Sequence, residues 1–393
     1  MFKIGIVGCG NRITGVFKLL RRLYPEDVKI AAVTDIRKEA VEEKFGDEAS
    51  EIAYFEKPED MLDAGGLDGV MVGTRCSLHT EMACRVEPAG LPLFLEKPVA
   101  TNMKDLARLH KAYKGKYDRV VVGFPLRLTP HVLVARQMID SGQFGPVAHV
   151  QAVNNVTYGD TYYMNWYRDH DETAGQWLQK ATHDLDYINT IVQQRPVRVA
   201  AMHSQQVYGP SGVHGPMPAG QECNTCPKQA ECPESPFNRF YMRGLTDKVE
   251  KNTRRCAFAP DALNEDNGSC LVEYESGLHA CYTQNFFARR DAGERGATMI
   301  CYGGTIKFDW YSNKMKVVHH HRDRTEEVNL AGRGGHGGGD KELVKSYLEI
   351  MRGEAPSRSG LDAGILSALM CLKAKESGDT HQFRDIDVKE LDA

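Results

Sequence analysis

The chain has 393 residues, long for one hydrophobic core, so two domains are expected. With 41% hydrophobic and 26% charged residues it has an ordinary globular composition, which excludes a chain dominated by disorder. A net charge of −4 offers no basic surface for nucleic acid or anionic lipid, so neither is expected as a partner.

In chain order, short apolar strands at Lys3–Val7, Lys29–Thr34, Gly69–Val72, Leu93–Leu95 and Arg119–Val122 alternate with amphipathic helical patterns such as Gly15–Leu23 and Thr101–Tyr113. The alternation predicts βαβ units and an α/β fold that begins with a Rossmann domain over 1–124. Met1 to Val7 reads as a buried strand, so no secretory leader is expected. No apolar run approaches the roughly 18–20 residues that span a bilayer. Together with the 11 cysteines this points to a reducing, cytoplasmic setting in which thiols stay reduced or bind metal.

After Gly123 the texture changes, and 125–393 is expected to be an α/β domain with a large, mainly antiparallel open sheet. A helix near His131–Ser141 precedes a strand at Val147–Val156, and a second helix runs from about Gly175 to Val192. Strands follow at Val197–Val207, Ser269–Tyr274, Leu278–Phe286, Ala297–Tyr302, Thr305–Asp309 and Lys314–His319, several joined by short turns. A Cys- and Pro-rich insertion over 208–256 and a Gly-rich run at Gly332–Gly339 interrupt this pattern. Helices over 340–377 close the chain, with Asp340 expected as an N-cap.

Gly8-Cys9-Gly10 follows the first strand and opens a helix, where glycine lets the backbone approach a pyrophosphate at the helix N-terminus. The third glycine of this fingerprint falls at Ile13 and is missing, with Gly15 expected to relieve the packing. Asp35 at the end of the second strand suits the ribose hydroxyls of NAD. Its charge would repel the 2′-phosphate of NADP by about 1–4 kcal/mol at ~4 Å, a repulsion that Arg37 would partly offset. NAD is therefore expected over NADP.

The series Gly8-Cys9-Gly10-Asn11-Arg12, Asp35, Thr74-Arg75 with His79, Glu96-Lys97-Pro98 and His183-Asp184-Leu185-Asp186 resembles the Gfo/Idh/MocA family of glucose–fructose oxidoreductase and inositol dehydrogenase. The resemblance implies that these N-terminal residues frame the cofactor, and that Lys97 lies between nicotinamide and substrate next to a cis bond before Pro98. It further implies that His183 is the general base of a dehydrogenase acting on a sugar, glycoside or cyclitol, and that copies of the chain associate through the open sheet as a dimer or tetramer. Asp186, one turn on, would either orient the imidazole or pair at the helix surface. Where many members carry Asp four residues before the histidine, this chain has Gln179, followed by Lys180, which would depress the His183 pKa.

Arg127, Asn155, Tyr158, Tyr163, Asn165, Trp166 and Arg168 supply the aromatic planes and donors that suit a carbohydrate. The run around His336 lacks a P-loop ending and reads either as a linker or as a segment presenting His336 to substrate. The second reading resembles the NAD-dependent glycosidases of the same family, which oxidise, eliminate and return the hydride. Cys223-x-x-Cys226 with Cys232 and Cys256 offers four ligands for a structural zinc, or four thiols in an insertion.

Overall fold

The computed structural model describes residues 1–210, 215, 217–236, 238, 254–330 and 335–392. Parts of the 208–256 insertion and residues 331–334 of the Gly-rich run lie outside the described residues. The first strands are β1 (Phe2–Val7), β2 (Val28–Thr34), β3 (Ala53–Phe55), β4 (Gly69–Val72), β5 (Leu93–Leu95) and β6 (Val120–Val122). They form an all-parallel sheet in the order β3-β2-β1-β4-β5-β6. β4, β5 and β6 are apolar and buried throughout, and β1 and β2 over most of their length, because helices cover both faces. These include α1 (Asn11–Leu23), α2 (Glu39–Phe45), α3 (Pro58–Asp63), α4 (His79–Val86) and α5 (Met103–Tyr113). The chain returns from the β3 edge to place β4 on the other side of β1, so a crevice opens at the carboxyl ends of β1 and β4.

Past α6 (Pro130–Asp140), the strands are β7 (Val147–Asn155), β8 (Pro196–Ser204), β9 (Asn267–Tyr274), β10 (His279–Asn285), β11 (Glu294–Cys301), β12 (Gly304–Asp309), β13 (Lys314–His319), β14 (Arg324–Asn329) and β15 (Arg384–Asp385). They make a nine-stranded sheet, antiparallel except where β7 and β10 run parallel at its centre. Two short helices, α7 (Thr161–Met164) and α8 (His170–Thr173), precede α9 (Thr182–Val192), which contacts β7. Along β9 buried and exposed residues alternate, and the other face of the sheet leaves Met202 and Leu271 exposed.

The last two helices are α10 (Gly339–Met351) and α11 (Leu361–Thr380). α11 packs on β8 and α9. α10 crosses back to the first sheet, where Leu343, Val344, Tyr347 and Leu348 share a core with Ile4, Ile6, Phe17 and Phe94. Tyr347 donates to the carbonyl of Val70 at 2.9 Å. A Cβ at Gly69 would lie 2.5 Å from the Tyr347 oxygen, so glycine is needed where this helix crosses β4. Asp340 is not the N-cap of α10: that place is taken by Gly338 in a left-handed conformation, and the Asp340 side chain is used elsewhere.

Candidate active site

β1 delivers the chain into Gly8, whose φ of 81° is a conformation open to glycine. A Cβ there would stand 2.6 Å from the Thr74 methyl, so the turn and the loop after β4 touch. No side chain caps α1 and no acidic residue lies in its first turn, which leaves its N-terminal amides for an anion. Ile13 is accommodated because Gly73 faces it: a Cβ on Gly73 would fall 2.3 Å from that of Ile13. Gly15 relieves nothing, since it faces open space. Asp35 accepts from the amides of Cys9 at 2.6 Å and Arg37 at 2.9 Å. The guanidinium of Arg37 turns to Glu43, and Asn11 accepts from Lys44. An open helix N-terminus beside a carboxylate at the end of β2 fits the pyrophosphate and ribose of a nicotinamide dinucleotide.

Glu96 and Lys97 follow β5, and the Lys97–Pro98 peptide is cis. The ring nitrogens of His79 face the carbonyls of Pro98 at 2.8 Å and Thr74 at 3.2 Å, so His79 ties two loops together and does not project into the crevice. Glu96, buried, accepts from Arg12 Nε at 3.1 Å, and the other edge of that guanidinium grips Asp340 at 2.6 and 3.2 Å. Asp340 also accepts from His336 Nδ1 at 2.9 Å. Although burial opposes it, these hydrogen bonds hold the Asp340 carboxyl well below the usual range.

The helix expected over Gly175–Val192 begins with a wider π-helical turn at Trp177–Ala181, a feature often found at functional sites. Its first amides, those of Gln176 and Trp177, are capped at 2.7 and 2.9 Å by Glu265, distant in sequence. Lys97 Nζ donates to the Gln179 carbonyl of this turn at 2.7 Å. Burial, only partly countered by Glu96, lowers Lys97 to about 8. Lys180 Nζ donates to the hydroxyls of Tyr158 at 2.5 Å and Tyr162 at 3.2 Å. Burial and the charge of Arg295 bring Lys180 down to about 7.

His183 is 8% exposed, with its ring 5.8 Å from Phe124 and 6.3 Å from His336. Burial, with the charges of Lys97, Arg295, His336 and Lys180, holds its pKa well below the ordinary imidazole value. The ring is therefore neutral near pH 7. Its Nδ1 is sealed off with no hydrogen-bond partner, leaving Nε2 as the nitrogen able to meet a ligand. Asp186 does not orient this ring: it lies 3.6 Å from Arg127, and burial lifts it to about 7.

Several residues expected to grip substrate are committed to structure. Arg127 binds Thr190 and Asp186. Tyr163 is fully buried, stacked on Tyr208 at 4.3 Å and bonded to the Glu265 carbonyl. Arg168 is buried against Asp261 and the Cys256 carbonyl. Asn155 accepts from Asn285 in the sheet. Trp166 stacks on Tyr167 at 4.0 Å and carries the Arg75 guanidinium at 3.8 Å from its ring, a rim contact between the loop after β4 and the second half of the chain. Asn165 is half-buried.

The expected zinc is not supported. Cys223, Cys226, Cys232 and Cys256 pack into a small cluster with Tyr208, Phe258 and Phe286. Among the described residues no three His, Cys, Asp or Glu side chains stand where they could hold a metal ion. Burial pushes the Cys232 and Cys256 thiols up.

Sequence reasoning missed Arg295 and its network. Asp184, fully buried, accepts from Asn154 at 2.8 Å, Tyr282 at 2.9 Å and Arg295 Nε at 2.9 Å. The signal was present: Arg295 falls in phase with the inward residues Ala297, Met299 and Cys301 of β11, where a charge demands a partner.

Two family models match the chain: "Oxidoreductase family, NAD-binding Rossmann fold" over residues 2–124 and "GFO/IDH/MocA C-terminal domain" over residues 132–230. YteT of Bacillus subtilis, a candidate oxidoreductase, is 24% identical over 92% of this chain and 93% of its own. Inositol 2-dehydrogenase of Rhizobium meliloti is 26% identical over 44% of this chain and 51% of its own, so this match spans only about half of each protein. Among solved structures, levoglucosan dehydrogenase in complex with NADH and L-sorbose superposes with a TM-score of 0.76 at 14% identity, covering all of both chains. An oxidoreductase structure from Thermotoga maritima gives 0.70 at 17%, over 98% of this chain and 100% of that one. Likeness at these identities extends to the fold.

Proposed function

Because this chain belongs to the Gfo/Idh/MocA family of NAD-binding oxidoreductases, we propose that it is a dehydrogenase acting on a secondary alcohol of a sugar, glycoside or cyclitol, with Lys97 and His183 at the reacting centre. One observation carries the reading: Lys97 is bonded to the turn that leads into His183, and its charge bears on that imidazole. An amine and an imidazole from distant segments therefore share one crevice.

NAD, when bound, supplies the hydride acceptor. Gly8, Gly10 and the α1 N-terminus would hold its pyrophosphate and Asp35 its ribose, with Thr74, Arg75 and Glu96 around them. His183, neutral, takes the hydroxyl proton at Nε2, a role typically worth ~10²–10⁴ in rate. The Lys97 ammonium, mostly protonated at neutral pH, donates a hydrogen bond to the substrate oxygen and holds it in place. Lys180 orients Tyr158 and Tyr162 at the substrate side. The names of the relatives, inositol 2-dehydrogenase and levoglucosan dehydrogenase, support a polyhydroxylated substrate. The test is NAD reduction across a panel of sugars and cyclitols, lost in Lys97→Met and His183→Ala. A panel without any cofactor reduction refutes the proposal.

A second reading, redox-neutral cleavage of a glycoside, is favoured by His336. It holds a left-handed φ of 48° and is fixed by Asp340 with its ring 6.3 Å from His183. It predicts aglycone release with no net NADH, and uptake of solvent deuterium into the sugar.

We further propose a boundary near residue 124, where β6 ends and the first family model stops. A homo-oligomer built on the outer face of the large sheet is supported by the exposed Met202 and Leu271. The cytoplasm is the proposed location. Among the described residues no helix is long and apolar enough to cross a membrane.

A further inference from the structure

We propose that His336 is a proton shuttle, which passes each proton taken up by His183 on to solvent. The inference rests on the dehydrogenase reading above and gives His336 a part in net oxidation, with no glycosidic bond broken.

Oxidation of a secondary alcohol breaks one C–H and one O–H bond. The hydride goes to the nicotinamide, the hydroxyl proton goes to His183 Nε2, and the carbonyl product leaves. His183 has to shed that proton before it serves again, so one proton per turnover must reach solvent. The ring has few ways to release it. His183 is 8% exposed and its Nδ1 is sealed with no hydrogen-bond partner, so the far side of the imidazole is closed. The neighbouring amines are engaged, Lys97 with the Gln179 carbonyl and Lys180 with the hydroxyls of Tyr158 and Tyr162.

His336 has what an exit requires. Its ring centre stands 6.3 Å from that of His183, with the two planes 33° apart. That separation is too long for a direct hydrogen bond of about 2.7–3.2 Å between ring nitrogens, and short enough for one bridging oxygen of water or substrate. His336 Nδ1 faces the Asp340 carboxylate at 2.9 Å, and that carboxyl is held ionised. Nδ1 therefore carries the hydrogen, and Nε2 presents the lone pair that accepts a proton. The His336 side chain is 39% exposed, against 9% for Asp340, so a proton received there has solvent beside it. Asp340 in turn faces the positive charge that forms while the proton is held.

The backbone keeps the ring in place. His336, Gly337 and Gly338 take φ of 48°, 62° and 94°, a left-handed run that turns the chain tightly into α10. A Cβ on Gly339 would fall 1.9 Å from the Pro125 carbonyl oxygen, so the loop is pressed against that residue. Phe124, its chain neighbour, lies with its ring 5.8 Å from His183. The segment that carries one imidazole thus rests on the segment that touches the other. Arg12 anchors Asp340 at 2.6 and 3.2 Å.

The test uses the full chain with NAD in weak buffer, and a panel of glucose, galactose, methyl glucoside and inositol. The member oxidised fastest is carried into two variants. His336→Asn keeps a residue that tolerates the left-handed backbone and a donor for Asp340, but no base. His336→Ala leaves space for an added imidazole. In both, the first turnover of NADH seen by rapid mixing is expected at its unaltered rate, because His183 can still take one proton. Steady-state turnover is expected to fall by about a hundredfold, the lower end of what an acid–base group contributes. Added imidazole is expected to restore the steady rate of His336→Ala while leaving NADH affinity as it was. A steady rate unchanged in both variants overturns the proposal. So does a first turnover slowed as much as the steady rate, or a loss that imidazole does not restore, since either makes the role structural. If the unmodified chain reduces NAD with no member of the panel, it is the dehydrogenase reading that fails.

Discussion

Gly73→Ala is expected to damage stability and cofactor affinity together. An alanine methyl there would lie 2.3 Å from Ile13 Cβ and 2.7 and 2.8 Å from its two γ carbons. Carbon atoms prefer about 3.5–4.0 Å, so α1 or the loop after β4 must retreat by roughly 1 Å. Ile13 is fully buried and has no open side to move into. Overpacking of this kind costs about 1–3 kcal/mol, which at ~2–4 °C per kcal/mol lowers the melting temperature by several degrees. Both displaced segments frame the glycine turn, so NADH binding is expected to weaken by about 5–10-fold, the equivalent of roughly 1 kcal/mol. Thermal unfolding and NADH fluorescence titration read the two effects. Ile13→Ala alone opens a cavity at about 2–5 kcal/mol. Combined with Gly73→Ala it fills part of that cavity, so the pair is expected to cost at least ~1 kcal/mol less than the sum of the singles. An unchanged melting temperature and affinity in Gly73→Ala, or strict additivity in the pair, would refute the account of the missing glycine.

Lys97→Met is expected to lower turnover by ~10²–10⁴ with NADH affinity within a few-fold; in the unaltered protein kcat/KM should hold up to about pH 8 and decline above it as the ammonium is lost, and a profile still rising at pH 9 speaks against this role. His131 lies between Phe308 and Trp310 with neither ring nitrogen bonded, and burial lowers it to about 4. Its folded pKa lies below the unfolded value of about 6.5, so the unfolded chain binds more protons between the two. Stability is therefore full above about pH 6.5 and falls as pH drops towards 4, by up to ~3 kcal/mol; urea midpoints of His131→Leu should lose this slope, and parallel curves would sink the claim. Asp340→Asn leaves Arg12 and His336 without their shared anion, and a loss of about 1–3 kcal/mol is expected, with an unchanged melting temperature as the refuting result.

Five strands of the parallel sheet were legible because they are apolar runs between amphipathic helices; the edge strand β3, three residues with none fully buried, was not. The cofactor turn was legible because glycine is required where the backbone takes φ 81° at Gly8. β14 was not, because an edge strand reading Arg-Thr-Glu-Glu-Val-Asn carries charges where alternation would otherwise be visible. The π-helical turn before His183 was also hidden, since its cap is Glu265, brought close only by the fold. For the substrate side, residue chemistry alone misled: Tyr163 and Arg168 have the right groups, but their partners Glu265, Asp261 and Cys256 come from other segments and hold them inside the protein. Arg295 was overlooked because the strand expected from sequence began at Ala297, two residues past it, whereas β11 starts at Glu294.

The crossing of α10 over the first sheet also sets an order of events during synthesis. Leu343, Val344 and Tyr347 complete the hydrophobic layer begun by Ile4 and Ile6, so the nascent dinucleotide half emerges from the ribosome with one flank bare. It stays so until residues 339–351 have been made. Translation arrested anywhere before α10 would yield an aggregation-prone fragment, and any attempt to express residues 1–124 alone should graft that helix back on.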